Sequence, residues 1–533
     1  MKWNILSSAL TGNKEEIIKT LLENRGVKTK KEIEKFLHPV KPEDFTAKDL
    51  GIDAKEVKKA LARIKKAIDE KEGIVVYGDY DADGICATAI LWETLYRLTK
   101  NVLPYIPERV SEGYGLNKET IKNLKFNPPA GGKNLGLIIT VDHGITSAEK
   151  IKYAKKLGID IIVCDHHQPP KEKPKCTAVV HTEKICAAAI AWFLSNRIQS
   201  TTNHQPPITN YLDLVAIATV ADLEPLTGVN RSFAKYGLQA LNETKRCGLL
   251  AIMEESGIKQ GEIDTYEVGY IIAPRLNAMG RMEHALESLR LLCTGNREKA
   301  KDLAAKLGLT NRERQLLTEE TTKHALESFR LRTASPTGDK GQAKLIFIEH
   351  ETYNQGIIGL VAGKLVEEFH RPSIVVSKGE VYSKASARSI NGFNIIEAIR
   401  AQSDLLVEAG GHPMAAGFTV ETAKIELLKQ RLVTLADSLI PEEILEKTLK
   451  IDLRLPLEKI NLQLWQAIQQ MSPFGLGNPE PVFVSKAVIK NFRTVGNEGK
   501  HLKIVCQSQK TETNSQPIII SGVAFNQGGL AEQ

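Results

Sequence analysis

Cysteine is scarce and scattered in this chain. Its seven cysteines among 533 residues are Cys86, Cys164, Cys176, Cys186, Cys247, Cys293 and Cys506, an odd count with no C-x-x-C pair. That argues against a disulfide framework or a zinc knuckle and fits a reducing, cytoplasmic setting. Long hydrophobic runs are missing too. The longest, at 186–194, falls far short of the roughly 18 residues of a membrane span, and residues 1–10 lack the apolar core of a signal peptide. The expectation is a soluble, cytoplasmic protein that is not exported. Repeats with periods of roughly 20–50 residues are absent, which excludes solenoids and propellers. There is no strong excess of one charge. Lys and Arg number 71 against 64 Asp and Glu, a net +7 that permits a polyanionic partner without demanding one. What is present, 42% hydrophobic and 25% charged residues with 39 Gly and 22 Pro, is ordinary globular usage. The length predicts about three or four domains.

The texture changes along the chain. Residues 1–72 are rich in Lys and Glu at helical spacing and carry no chemistry-bearing cluster, so they read as a helical cap. From Gly73, β-branched runs at 74–77, 137–141 and 159–164 alternate with helical patterns at 87–98 and 147–157, the signature of a parallel sheet covered by helices. An apolar helix at 212–221 ends at Asp222. Residues 229–342 read as helical, with 297–330 forming one long helix of about 50 Å weakened at Gly308. The polar run 333–342 breaks the pattern. A second α/β unit follows at 343–441, with strands at 344–348 and 373–376 and a helix near 359–369. Residues 442–533 predict short strands at 449–453, 482–488, 502–506 and 518–523 around a helix at 459–471, consistent with a small oligonucleotide-binding (OB) type barrel.

Chemistry concentrates at strand ends. In GIVVYGDYDADG, residues 73–84, a strand delivers Asp79, Asp81 and Asp83 into a turn at Gly84. Carboxyl ends of parallel strands line the crevice where open α/β sheets bind ligands. Three carboxylates so close cannot all ionise there without cations, although an acidic turn also occurs as solvated surface. The next strand ends in Asp142-His143-Gly144 and the one after in Asp165-His166-His167. Together with Asp222, three successive strand ends bearing Asp and His are hard to explain by packing, because each buried carboxylate needs its own partner. Mixed Asp and His ligands without thiolate favour Mn2+, with Mg2+ as the alternative. Two such ions suit phosphoryl hydrolysis.

These motifs, GDYDADG, VDHG, CDHH and ATVADLEPL, resemble the four signatures of the DHH phosphoesterases, and within them the RecJ family of single-strand-specific exonucleases. IPERVSEGYGL, APRLNAMGRM, QGIIGLVAGKL, SARSINGFNI, GGHPMAAGF and SPFGLGNPEPVF extend the resemblance in the same order, and GGHPMAAGF is similar to the substrate-binding signature of the DHHA1 domain. The implied architecture is a DHH catalytic domain at 73–228, a helical connector at 229–342, a DHHA1 substrate-binding domain at 343–441 and an OB-like nucleic-acid-binding domain at 442–533. The implied activity is a metal-dependent 5′-to-3′ exonuclease on single-stranded DNA in recombination and repair, with a single-strand-binding protein and a RecQ-type helicase as partners and a monomer as the default state.

The resemblance also implies site roles. Asp81 and Asp142 would hold one ion, and Asp83, Asp142, His166 and Asp222 the other, with Asp142 shared. Asp79, Asp165 and His167 would be catalytic groups facing the phosphate, His167 protonating the leaving oxygen. Substrate would be held by Arg275, Arg281, Arg388, Ser389, Gly410, Gly411 and His412, although Gly410 and Gly411 also suit a simple turn and the two connector arginines also suit helix caps. Phe474, Phe483 and Phe492 are candidates for base stacking, with core packing the competing reading for at least two. The sequence departs from the family pattern at Tyr77, where many members carry His, and at Tyr353-Asn354, where Trp-His is usual. Two other readings stay open: a small-substrate phosphoesterase acting on short oligonucleotides, cyclic dinucleotides or polyphosphate, against which the length argues, and a non-catalytic scaffold, against which the intact acidic set argues.

Overall fold

The structure, a computed structural model, describes residues 2–7, 13–109, 111–126, 134–201, 210–333, 343–508 and 517–532. The predicted break at 333–342 lies, from residue 334 on, outside them. The chain divides into two compact units. One comprises Lys41–Glu224 with Ser232–Lys447, the other Met1–Val40, Pro225–Arg231 and Thr448–Gln533.

The larger unit holds two sheets. In the first, five strands run in the spatial order Val102–Tyr105, Gly73–Tyr77, Leu135–Val141, Asp160–Asp165 and Ala178–His181, and every neighbouring pair is parallel. Helices cover both faces, so Gly73–Tyr77 is buried along its whole length, which is why it reads as a continuous apolar run. From Gly73–Tyr77 the chain crosses first to one side, to Val102–Tyr105, and then to the other, to Leu135–Val141. The crevice between these diverging connections opens at the carboxyl ends of Gly73–Tyr77 and Leu135–Val141. Register levels the strand ends: Tyr77 pairs with Thr140, and Val141 with Cys164. The residues that follow each strand therefore emerge side by side.

The predicted helix Leu212–Ala221 forms with those bounds. The long helix also forms, as Arg297–Thr333, and Gly308 does not interrupt it. The absent side chain makes room for the Glu255 carboxylate, which a Cβ would meet at 2.0 Å. The second sheet orders Leu406–His412, Ala415–Glu421, Tyr382–Arg388, Ser373–Ser377 and Ile346–His350, with only the last two parallel. Alternation divides its core: Ile346, Ile348 and Val375 pack with the helix Ile358–Phe369, whereas Phe347, Ile374 and Val376 pack with Ile425–Leu439.

The smaller unit corrects the expectation of a wholly helical amino-terminal segment. Lys2–Ser7 is a strand, paired in parallel with Thr448–Arg454. Helices Lys14–Asn24 and Lys30–Leu37 do form, and Ile17, Leu21, Leu22 and Phe36 bury against Leu453, Leu455, Leu464 and Met471. Arg25 closes the contact with a 2.8 Å ion pair to Asp452. Phe474 and Phe483 pack onto this core, whereas Phe492 is exposed. The strands Ala487–Val495, His501–Ser508 and Ile519–Ala524 make an antiparallel meander, which among the described residues is an open three-stranded sheet. No helix among the described residues is long and apolar enough to cross a membrane.

Candidate metal centre and phosphate site

Beyond Tyr77 the chain turns through Gly78 and Asp79-Tyr80-Asp81 into the helix Ala82–Leu98. Asp81 caps that helix, accepting hydrogen bonds from the amides of Asp83 at 3.0 Å and Gly84 at 3.1 Å. Gly84 is required by close approach, since a Cβ there would lie 2.8 Å from the Asp79 Cα. Asp83 accepts from the amides of Ala187 and Ala188, each at 2.7 Å, at the start of the helix Ala187–Thr201. After the neighbouring strand, Asp142 is 2% exposed and takes a left-handed φ of +68°, a conformation that Asp tolerates better than most residues.

Donor atoms converge in three sets: Asp79, Asp81 and Asp142; Asp83, His166 and Asp222; and Asp142, His166 and His167, the atoms of each set lying within 4.8 Å of one another. His166 Nε2 lies 3.2 Å from Asp142 Oδ1, 3.6 Å from Asp222 Oδ2 and 3.7 Å from Asp83 Oδ2. Its Nδ1 faces Glu224 Oε1 at 3.4 Å, the arrangement in which a carboxylate orients a metal-bound imidazole. Asp79, expected among the groups facing the phosphate, stands in the set with Asp81 and Asp142.

The electrostatics of this cluster call for cations. Burial, then the neighbouring carboxylates, push Asp142 and Asp79 well above the ordinary range. The same causes raise Asp222 to about 8. Burial raises Asp83 to about 6, with His166 and the backbone amides pulling the other way. Burial disfavours a charged His166, yet Asp142, Glu224 and Asp83 drive its pKa far up. Asp79 Oδ1 is buried without a hydrogen-bond partner. An orphaned carboxylate oxygen in a set that repels itself fits a divalent cation with oxygen and imidazole ligands.

Asp165 is different. Burial would raise it, but His167 Nδ1 at 2.8 Å and the amides of Ile145 and His167 at 2.8 and 3.1 Å lower it to about 2. The Tyr114 hydroxyl lies over the His167 ring, 3.5 Å from Nδ1 and 3.4 Å from Nε2. That hydroxyl donates to the carbonyl of Asp142 at 2.9 Å. The His412 ring, from the second sheet, stacks on His167 at 5.8 Å.

Beside the carboxylates lies a group of arginines. Burial, then the charges of Arg109, Arg314 and Arg388, lower the pKa of Arg281 to about 10. Arg388 is lowered by burial and then by Arg109. Arg281 donates to the Gly356 carbonyl at 3.1 Å, and Arg388 to that of Ala387 at 2.9 Å. Arg109 sits over the Tyr80 ring at 5.0 Å. Guanidinium groups crowded together in a partly desolvated place suit a phosphate.

Other expected substrate residues are engaged elsewhere. Arg275 is paired with Glu255 at 2.8 Å and donates to the Ile271 carbonyl, which ties it into the helical region. The Ser389 hydroxyl is turned onto the Phe393 carbonyl at 2.7 Å. Gly410 and Gly411 belong to the hairpin strand Leu406–His412, and Gly411, at φ +138°, leaves only 2.4 Å between a Cβ and the Ala415 carbonyl. Tyr77 is buried, its hydroxyl donating to the Gly115 carbonyl at 3.3 Å, and is not among the ligand sets. Tyr353 is bonded to His324 Nδ1 at 2.8 Å, and Asn354 accepts from the Gly356 amide at 2.7 Å.

Comparison with known proteins agrees with this geometry. Family models match in three places: the DHH family N-terminal domain at residues 73–219, the DHHA1 domain at 341–439 and the RecJ OB domain at 451–533. The single-stranded-DNA-specific exonuclease RecJ of Bacillus subtilis is 36% identical over 97% of this chain, and the chain spans 64% of that relative's length. The RecJ of Salmonella typhimurium is 30% identical over 96% of this chain and 89% of its own. A crystal structure of Thermus thermophilus RecJ with Mn2+ superposes with a TM-score of 0.75 at 28% identity, covering 98% of this chain and 78% of that one. A manganese-bound exonuclease RecJ gives 0.61 at 33% identity, covering 73% and 96%. With the three domain models matched in this order, these matches establish that the chain belongs to the RecJ family.

Proposed function

We propose that this chain is a metal-dependent exonuclease that hydrolyses phosphodiester bonds of single-stranded DNA from the 5′ end. The observation that carries the reading is the juxtaposition of two ligand sets, bridged by the 3.2 Å approach of Asp142 to His166, with a cluster of four arginines. In this reading Asp79, Asp81 and Asp142 hold one ion. Asp83, His166 and Asp222, with Asp142, hold the other. Bound Mn2+ or Mg2+ would supply Lewis acidity, lowering the pKa of a water and neutralising phosphoryl charge.

The protein's own groups do the rest. Arg109, Arg281, Arg314 and Arg388 grip the terminal phosphate and fix the strand end, with His412 closing over His167 from the second sheet. His167 delivers a proton from Nε2 to the leaving oxygen, its ring oriented through Nδ1 by Asp165. Glu224 orients His166 from behind. A single-strand-binding protein and a RecQ-type helicase are the partners that fit such an activity in recombination and repair. The small-substrate alternative is disfavoured because short substrates have no use for the OB domain that matches at 451–533.

Two single-stranded 40-mers, labelled at the 5′ or the 3′ end and followed over time with Mn2+, Mg2+ or EDTA, test the proposal. Early release of a short 5′-labelled product, gradual shortening of the 3′-labelled strand and silence in EDTA are expected. Turnover of dinucleotides or pyrophosphate with both 40-mers intact would favour the small-substrate phosphoesterase instead.

A further inference from the structure

One helix crosses the site, and only its carboxyl end meets the arginine group. It runs without a break from residue 265 to 282, with a π-helical turn at Glu267–Ile272 leading into Ala273–Met282. Toward its carboxyl end, Asn277 Oδ1 accepts the Ala82 amide at 2.7 Å, Gly280 lies against the Tyr80 carbonyl, and Arg281 joins the arginine group. Toward its amino end, Gly269 packs on Val220, two residues before Asp222. The helix therefore touches the Asp79–Asp81 loop at one end and the helix that leads into Asp222 at the other.

Two tyrosines project from the amino end. Tyr266 and Tyr270 are 58% and 70% exposed, and their rings lie against each other at 4.9 Å, tilted by 30°. No tyrosine among the described residues is more exposed than Tyr270. Leu223, between Asp222 and Glu224, is also 70% exposed and is held at a left-handed φ of +57°. Large apolar groups left in water beside a polar centre mark a contact surface. Their position on the helix says which contact. Eleven residues separate Tyr270 from Arg281, about 16 Å along the axis, and at about 100° per α-helical residue, somewhat less through the π-helical turn, they return to nearly the same face. The face that carries the phosphate-gripping arginine also carries, a few nucleotides away along an extended strand, an open aromatic surface.

We infer that Tyr266 and Tyr270 form a stacking platform for nucleobases of the single strand that trails the scissile phosphate. The inference rests on the proposed exonuclease reading and adds to it the part of the substrate beyond the phosphates. Stacking is indifferent to sequence because every base has a π face. A base inside a duplex is already stacked on its neighbours and has no free face to offer, so the platform contributes to the preference for single strands.

Fluorescence anisotropy with a hydrolysis-resistant phosphorothioate 12-mer, intact or carrying abasic sites, tests this on the full chain. The Tyr266→Ala/Tyr270→Ala variant is expected to bind the intact strand on the order of tenfold more weakly than wild type, whereas Tyr266→Phe/Tyr270→Phe stays close to wild type. On the abasic strand all three proteins should bind alike. Equal binding of the intact strand by the Ala variant and wild type overturns the platform, and so does an equal loss on both strands. If wild type meanwhile cleaves the labelled 40-mers, the exonuclease reading survives that failure; if wild type neither binds nor cleaves single strands, both fall.

Discussion

His143, between Asp142 and Gly144, shows how one residue of a candidate metal motif can serve the fold. Its ring is buried edge-on against Tyr77 at 5.2 Å, and Nε2 donates to the Tyr77 carbonyl at 3.0 Å. Burial holds the imidazole neutral, lowering its pKa from 6.5 to about 4. Between those values the unfolded chain binds a proton that the folded chain refuses, so this contribution is complete above pH 6.5 and is lost as the pH falls toward 4. From pH 7.5 to 5 the loss amounts to about 2 kcal/mol. Thermal midpoints of wild type should therefore fall more steeply over that interval than those of His143→Phe, which keeps the ring and cannot titrate. Parallel pH profiles for the two proteins would contradict the account.

At the scale of the element, the helix Ala273–Met282 positions the metal loop. A Cβ on Gly280 would lie 2.3 Å from the Tyr80 carbonyl oxygen, a backbone atom between Asp79 and Asp81. Helix and loop would have to part by about 1 Å, a displacement that costs on the order of 100-fold in rate at a reacting centre. Gly280→Ala should thus cut kcat/KM on single-stranded DNA by roughly that factor while the melting temperature moves by only a few degrees. Wild-type activity in this variant would mean that the loop tolerates the shift.

Helix phase also explains what the sequence hid. Arg275 and Arg281 occupy one motif and look equivalent, but six residues turn a helix by about 240°. Arg281 therefore reaches the arginine group while Arg275 meets Glu255. Asp79, Asp81, Asp83, Asp142, Asp165, His166 and His167 were legible because each lies at or within a few residues of the end of an apolar strand, and parallel register brings strand ends level. Arg109, Tyr114 and Glu224 lie in segments that carry the family resemblance, IPERVSEGYGL and ATVADLEPL, but their residue types and spacing alone give them no role, and Arg314 sits mid-way along a long helix with no mark of the site. The strand Lys2–Ser7 was missed for a related reason: its partner, Thr448–Arg454, is more than 400 residues away, and its own half-exposed pattern is weak.

Across the whole larger unit, the centre is assembled from segments far apart in the chain: three strand ends, the end of Leu212–Ala221, the helix Ala273–Met282 and the second sheet through Arg388 and His412. No single segment satisfies its own charges, so the buried acidic set must take up either protons or cations, and cations are what its mixed oxygen and imidazole donors suit. Asp142 links the two ligand sets: it belongs to the Asp79–Asp81 set and stands 3.2 Å from the His166 of the other. Its loss should be felt by both. Calorimetric titration of Mn2+ into wild type and Asp142→Ala, with electron paramagnetic resonance to detect coupling between ions, tests this most directly. The account predicts two ions per wild-type chain with coupled signals, and weakened binding of both in the variant. A single ion in wild type, or a variant that keeps one site at full affinity, would contradict it.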